Sequence, residues 1–254
     1  MLSTNELERA LAAAGLDAPV RFDEVTGSTN ATALELAEAG SPEWTLVATA
    51  HQTEGRGRMG RTWDDEPGSA LLFSFVLRPS FDTDLTGVLP LWAGASMAHA
   101  IRSLEGPDVR CKWPNDLVVR DRKVGGVLCE STIQNERVRF VVVGIGVNLG
   151  APPPSVPLAE AIDADAGELL GAFIQRAVKG YRRMSSGAEA ALAGAVADWG
   201  AISSTLGRTV RVVRPGAPPL EGHAEGVDRR GALVVLTSDG SRVTVTSGEV
   251  THLR

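Results

Sequence analysis

The densest chemistry in the chain lies in thirteen residues, His51-Gln52-Thr53-Glu54-Gly55-Arg56-Gly57-Arg58-Met59-Gly60-Arg61-Thr62-Trp63, which hold three glycines and three arginines. Glycine lets a backbone approach a ligand and take a positive φ. Arginine offers a rigid, permanently charged fork that suits carboxylates and phosphates. The stretch reads as a loop that wraps an anionic ligand; the bland alternative is a glycine-rich surface hairpin. Gly55 to Gly60 formally matches the dinucleotide pattern G-x-G-x-x-G. That fingerprint opens a helix at its third glycine and lays backbone N–H groups on a pyrophosphate. Here Gly60 runs on into Asp64-Asp65-Glu66-Pro67-Gly68, a turn composition, and the loop supplies side-chain cations instead. No phosphate loop of the Gly-Lys-Ser/Thr type is present. Arg56, Arg58 and Arg61 could contact nucleic-acid phosphates, but the adjoining acidic residues and a net charge of −6 argue against it.

A second cluster is Lys112-Trp113-Pro114-Asn115-Asp116 with Lys123. The two lysines sit on opposite arms of an expected hairpin and could face one pocket. Asp116 and Asn115 beside a proline-constrained turn could hold Mg²⁺, which takes one or two protein oxygens plus phosphates and water. Alternatively, Trp113 is core and Asp116 a turn residue. Gly125 and Gly126 allow a ligand to lie on the backbone, or mark a β-bulge. A third cluster, Ser28-Thr29-Asn30, precedes a helical pattern; such residues are first of all helix caps. Three in a row also leave donors beside a helix N-terminus, where an anion is favoured.

The elements that position these groups follow from periodicity. Residues 3–15 read as a short helix with a Ser3/Glu6 capping box. Strands are expected at 20–25, 44–50, 71–77 and 123–130, with 109–119 a strand interrupted at Pro114 and a hairpin turning at 120–122. Residues 137–149 form the longest β run and should be a central strand, with Gly144 and Gly146 marking close approach. Helices are expected at 31–39, 89–104, 165–184 and 189–201, and the proline-rich stretch 151–157 as a rigid loop. His99 falls inside a helix and reads as packed or surface. From about residue 206 the chain changes to four short strands, 210–213, 222–227, 232–236 and 242–246, separated by turns. The expected fold is α+β: a mixed sheet flanked by helices over residues 1–203, then a small β-barrel over 204–254.

With 254 residues, 43% of them hydrophobic, the chain can bury one sizeable core and a small appended unit. Two cysteines, Cys111 and Cys129, fit a reducing cytosol better than secretion. No apolar run approaches the roughly 20 residues of a membrane helix, and no signal peptide is visible, so the expectation is a cytoplasmic protein without a membrane.

Taken together, Gly27-Ser28-Thr29-Asn30, the Gln52–Trp63 loop, Lys112–Asp116, Lys123-Val124-Gly125-Gly126-Val127 and Gly144-Ile145-Gly146-Val147-Asn148 resemble the motifs of biotin protein ligases, in that family's order and spacing. The resemblance is strong over residues 20–150, and the small C-terminal barrel fits it. Lipoate ligases share the fold but not this pair of loop and lysine motifs. They are the nearest alternative; a non-catalytic anion-binding module and a dehydrogenase are more distant ones.

The resemblance implies a class II synthetase-like catalytic domain with an SH3-like C-terminal barrel, ATP and Mg²⁺ as requirements, and biotin as substrate. It implies activation of biotin to biotinyl-5′-AMP, then transfer to a lysine of a biotin carboxyl carrier domain of an acyl-CoA carboxylase. Carried over by residue, Ser28, Thr29 and Gln52, with Asn30, bind the ureido head of biotin. Gly55, Arg56, Gly57 and Arg58 close over biotin and the phosphates. Trp63 walls the biotin tail, Gly125 and Gly126 offer backbone to its carboxyl region, and Lys123 bridges that carboxylate to the α-phosphate. Met59, Lys112, Asn115 and Asn148 lie toward the nucleotide. Asp116 completes a catalytic set with Lys123, Arg56 and Arg58, and is a weaker candidate for Mg²⁺. One helix before the first strand is too little for the helix-turn-helix of repressor-type members, so no specific DNA binding is expected. The expected state is a monomer or weak homodimer.

Overall fold

The structure, a computed structural model, describes residues 2–156, 158–185 and 188–253. Pro157, the last residue of the proline-rich stretch, lies outside the described residues. Strands β1 (Val20–Thr26), β2 (Leu46–Gln52), β3 (Ala70–Leu77), β4 (Arg110–Lys112), β5 (Asp116–Val119), β6 (Arg122–Gln134) and β7 (Arg137–Asn148) form one seven-stranded sheet. Its order is β1-β2-β3-β7-β6-β5-β4, with β1 parallel to β2 and every other pair antiparallel. The long run 137–149 is indeed central, between β3 and β6. The expected interrupted strand is two strands, β4 and β5, turned back on each other at Trp113-Pro114-Asn115, which explains the proline. Arg120 and Asp121 both take positive φ, +51° and +62°, and make the tight turn into β6.

Helix α1 (Thr4–Ala13), α3 (Val88–Ser103), α4 (Ala166–Met184) and α5 (Glu189–Ala201) cover one face of this sheet, and α2 (Thr29–Glu38) covers the other. Strand side chains alternate between faces, and the partition is visible residue by residue. Leu46, Ala48, Phe73, Phe75, Leu77, Val141 and Val143 enter the large core with Trp92 and Phe173, whereas Val47, Val76, Phe140 and Val142 meet Ala33 and Ala37 of α2. Fully burying each such aliphatic or aromatic side chain contributes roughly 1.5–3 kcal/mol. Continuing along the α2 face of β7, Phe140 and Val142 give way to Gly144 and Gly146. The side chains stop there, and a cleft opens.

Two capping expectations need correction. Ser28 occupies the N-cap position of α2, but its side chain makes no capping hydrogen bond, and the helix begins at Thr29 rather than at 31. Ser3 at the start of α1 likewise makes none; its Oγ donates to Glu6 Oε2 at 2.9 Å, so the two side chains bond each other instead of the backbone.

The C-terminal residues form a second, antiparallel sheet, β8 (Thr209–Arg214), β9 (Ala217–Val227), β10 (Leu233–Leu236), β11 (Arg242–Val245) and β12 (Glu249–His252), in the order β11-β10-β9-β8-β12. Five strands stand where four were expected. In β12 only Val250 is buried, and the added start of β9 carries Pro218 and Pro219, so neither shows the alternation that marks a strand. The sheet is docked on the first by buried and charged contacts. Trp113 Nε1 donates to Gly231 O at 3.0 Å, and Trp113 N to Thr205 Oγ1 at 3.0 Å. Arg208 pairs with Asp121 at 3.0 Å and Arg230 with Asp84 at 2.9 Å.

His252 sits in this joint, 3.2 Å from Asp121 and 3.0 Å from Arg208. Burial, then the charges of Arg208 and Lys112, hold its imidazole pKa below the usual value, against the pull of Asp121. Burial and Arg176 do the same to His99, against Asp198. A depressed imidazole favours the neutral form when folded. This stability is therefore present above the unfolded value near 6.5 and lost as pH falls from there toward the folded values. Urea midpoints are expected to drop between pH 7.0 and 5.5, with a slope of at most about 1.4 kcal/mol per pH unit for each proton. His252→Gln should flatten part of that drop; an unchanged slope would show that the joint histidine does not contribute.

Candidate active site

The cleft on the α2 face has a volume of about 250 Å³ and is walled by β6, β7, the N-terminus of α2 and the Gly/Arg loop. The loop is a hairpin. Arg56 bridges Thr62, Gly57 N donates to Arg61 O at 2.7 Å, and Trp63 N to Gly55 O at 2.9 Å. Only a single 3₁₀ turn, Arg58–Gly60, forms, and it lies within the glycine pattern, with Met59 at φ +57°. No helix opens at Gly60, and the dinucleotide reading falls for the reason the sequence already suggested.

At the closed end, Thr29 donates to Gln52 Oε1 through its backbone N (2.9 Å) and hydroxyl (3.2 Å), with Ser28 beside it. Under them lies a buried polar chain. Asn30 Oδ1 accepts from Ser74 Oγ at 2.6 Å, and its Nδ2 donates to Glu130 Oε2 at 2.8 Å. Glu130 also faces Arg56 Nη1 at 3.3 Å. Trp63 lies across Gly146, where an added Cβ would be 2.7 Å from the indole. Gly146→Ala is therefore expected to push Trp63 into the cleft and weaken binding of the cleft's ligand by roughly tenfold or more, since close packing transmits a displaced ring to whatever is bound. Unchanged affinity would remove Trp63 from the wall.

The cations converge on the open end. Lys123 Nζ is 2.6 Å from Asp116 Oδ1 and 5.8 Å from the Trp63 ring centroid. Arg58 donates to Asn115 Oδ1 at 3.4 Å and to Ser247 Oγ at 3.3 Å, while Arg61 pairs with Glu249 of β12. Burial, then Arg61, lowers the Arg58 pKa, with Asp116 pulling it back. A guanidinium stays charged regardless, so this burial leaves Arg58 poorly solvated and ready for an anion. Gly126 lines the cleft over Lys123, and Gly125 packs so tightly that a Cβ would be 2.6 Å from Gly146 O.

Not every expected residue is in the cleft wall. Lys112 does not line the cleft, its charge being felt instead at His252 in the joint, and Asn148 donates to Glu160 O at 2.9 Å. Gly55 is buried against Trp63 O and Gln52 Nε2 without lining the cleft, and Met59 is exposed. Sequence reasoning passed over Ser74, Glu130, Ser247 and Glu249. Alternation along β6 from Gly126 through Leu128 could have placed Glu130 on the cleft face; nothing local marks the other three. Among the described residues no group of three or more His, Cys, Asp or Glu could hold a metal. Asp116 is the one carboxylate in the cleft wall, which fits a Mg²⁺ ligated mostly by phosphate and water. Cys111 and Cys129 are free, and burial pushes both thiols up to about 12, so neither is a nucleophile.

The biotin/lipoate A/B protein ligase family model matches residues 22–148, and the biotin protein ligase C-terminal domain model matches residues 205–253. The chain is 32% identical over 245 residues to a biotin–[acetyl-CoA-carboxylase] ligase of Mycobacterium tuberculosis, spanning 90% of this chain and 87% of that protein. It is 34% identical over 174 residues to the bifunctional ligase/repressor BirA of Bacillus subtilis, covering 66% of this chain but only 54% of that longer relative. The biotin protein ligase of Aquifex aeolicus, solved in complex with biotin and ATP, superposes with a TM-score of 0.75 at 26% identity, over 93% of this chain and 99% of that one.

Proposed function

This chain belongs to the biotin/lipoate A/B protein ligase family, and from that premise we propose that it is an ATP-dependent biotin protein ligase. The observation that carries the reading is the single cleft that holds the Thr29–Gln52 polar end, the Trp63 wall and the cations Lys123, Arg56 and Arg58. In the first half-reaction a biotin carboxylate oxygen attacks the α-phosphorus of ATP, the bond to the β-phosphate oxygen breaks, and pyrophosphate leaves. In the second, the amine of an acceptor lysine attacks the acyl carbon, the bond to the AMP oxygen breaks, and the amine's proton passes to solvent. Little acid–base machinery is needed. Cations must meet charge as it builds on the phosphoryl oxygens, and water must be kept from the mixed anhydride.

Within this reading Ser28, Thr29 and Gln52 bind the ureido head, and Asn30 supports them from below. Gly57, Arg56 and Arg58 of the hairpin close over biotin and the phosphates. Lys123 bridges carboxylate and α-phosphate, and Asn115 lies on the nucleotide side. Asp116 would hold Mg²⁺, whose charge would offset that of the triphosphate. The acceptor is the biotin carboxyl carrier domain of an acyl-CoA carboxylase, and the compartment is the cytoplasm, supported by bacterial relatives and by the absence, among the described residues, of a helix able to cross a membrane. The two family matches support a division at residues 203/204. The deciding experiment is ATP–pyrophosphate exchange with biotin, with lipoate and with no acid. Exchange stimulated by biotin alone is expected; stimulation by lipoate would move the chain to the sister activity, and none at all would leave a binding module.

A further inference from the structure

We propose that Glu130 is a positioning residue that ties Arg56 of the hairpin to the buried floor of the cleft, a role that rests on the ligase reading above. The floor is rigid. Asn30 is buried, and its amide is oriented by the Ser74 hydroxyl at 2.6 Å, so its N–H side must donate outward. That donation lands on Glu130 Oε2 at 2.8 Å and, more weakly, on Leu128 O at 3.4 Å. The amide cannot shift toward β7, because it already fills the space over Gly144, where a Cβ would stand 1.8 Å from Asn30 Oδ1. The position of the Glu130 carboxylate is thus dictated from below by a neutral, buried group.

From above, the same carboxylate meets Arg56 Nη1, 3.3 Å from Oε1 and 3.4 Å from Oε2. Arg56 stands between Gly55 and Gly57 on a hairpin, and among the described residues Glu130 is the one side chain that engages its guanidinium. Without that contact, two flanking glycines would leave the side chain and its hairpin with many more conformations to lose on binding. Arg56 and Asn30 line the same cleft, so Glu130 connects the head-group end to the cation that closes over it.

The test is a double-mutant cycle on the full chain. Glu130→Gln keeps an acceptor for Asn30 and removes the charge that holds Arg56. It is expected to raise the KM for biotin in pyrophosphate exchange about five- to tenfold with kcat within about twofold. In the Arg56→Ala background the same substitution should change KM by less than about twofold, because residues acting through one contact are not additive. Equal effects in both backgrounds, no effect in either, or a KM that falls in the Arg56→Ala background would overturn the proposal. Limited trypsinolysis of the empty protein supplies a readout that needs no substrate: Glu130→Gln should speed cleavage at Arg56, Arg58 and Arg61 several-fold, and an unchanged rate counts against the tie. If the unaltered protein shows no biotin-dependent exchange, the ligase reading fails, and trypsinolysis still judges Glu130 by itself.

Discussion

Lys123→Ala is expected to reduce biotin-dependent pyrophosphate exchange by about 10²–10³-fold, the usual cost of deleting one preorganised group aimed at developing charge. Biotin binding should weaken far less, by under about tenfold, because only interactions stronger in the transition state than in the ground state accelerate the chemistry. The geometry supports that split. Lys123 is carried by β6 rather than by the hairpin, and its ammonium is held between Asp116 at 2.6 Å and the Trp63 ring at 5.8 Å. Arg56, Arg58 and Arg61 all sit on the hairpin, whereas Lys123 is carried by the sheet. Lys123→Arg should not rescue, since a planar guanidinium cannot occupy the space of a compact ammonium. Calorimetry with biotin alone separates binding from turnover. Near-normal exchange by Lys123→Ala would show that the hairpin arginines carry the α-phosphate and that Lys123 does not.

The second large effect concerns the joint. Gly231→Ala is expected to lower Tm by roughly 10 °C or more, reflecting a cost above about 3 kcal/mol in a chain of this size. Gly231 has φ +84°, and a Cβ there would lie 2.3 Å from Gly87 O and 2.6 Å from Gly87 C. Those are backbone atoms at the start of α3, so no rotamer change relieves the clash. Gly231 O also accepts the Trp113 indole hydrogen bond at 3.0 Å, which a shifted backbone would lose. Gly240 in the same sheet has the same φ and nothing within 4 Å of an added Cβ. Gly240→Ala therefore measures the conformational cost alone, about 1–2 kcal/mol, and the difference between the two variants isolates the packing. Similar Tm losses for both would mean that the sheets are not locked at Gly87 and Gly231. Arg58 and Arg61 reach Ser247 and Glu249 of the second sheet, so undocking should also impair exchange.

Much of this protein was written in local pattern. The apolar stretch 141–145 within the long β run 137–149 determined a central strand because buried strands need apolar residues on both faces. The turn composition after Gly60 excluded a dinucleotide helix. The residue types of Arg56, Arg58 and Lys123 marked cations suited to an anionic ligand. Tertiary structure decided what those groups touch. It left Lys112, a neighbour of the motif residues Asn115 and Asp116, outside the cleft wall that those two line. It buried Trp113 under Gly231, 118 residues away, and brought Glu130 to Arg56 across 74. It left Ser28 without a capping hydrogen bond and gave the N–H of Thr29 to Gln52. The reason is physical: alternation and backbone propensity act within a few residues, whereas a side chain's partner is set by which surfaces pack together. The Gly/Arg hairpin shows both halves, its cations and glycines belonging to the sequence and its hold on Glu130, Ser247 and Glu249 to the packing of two sheets.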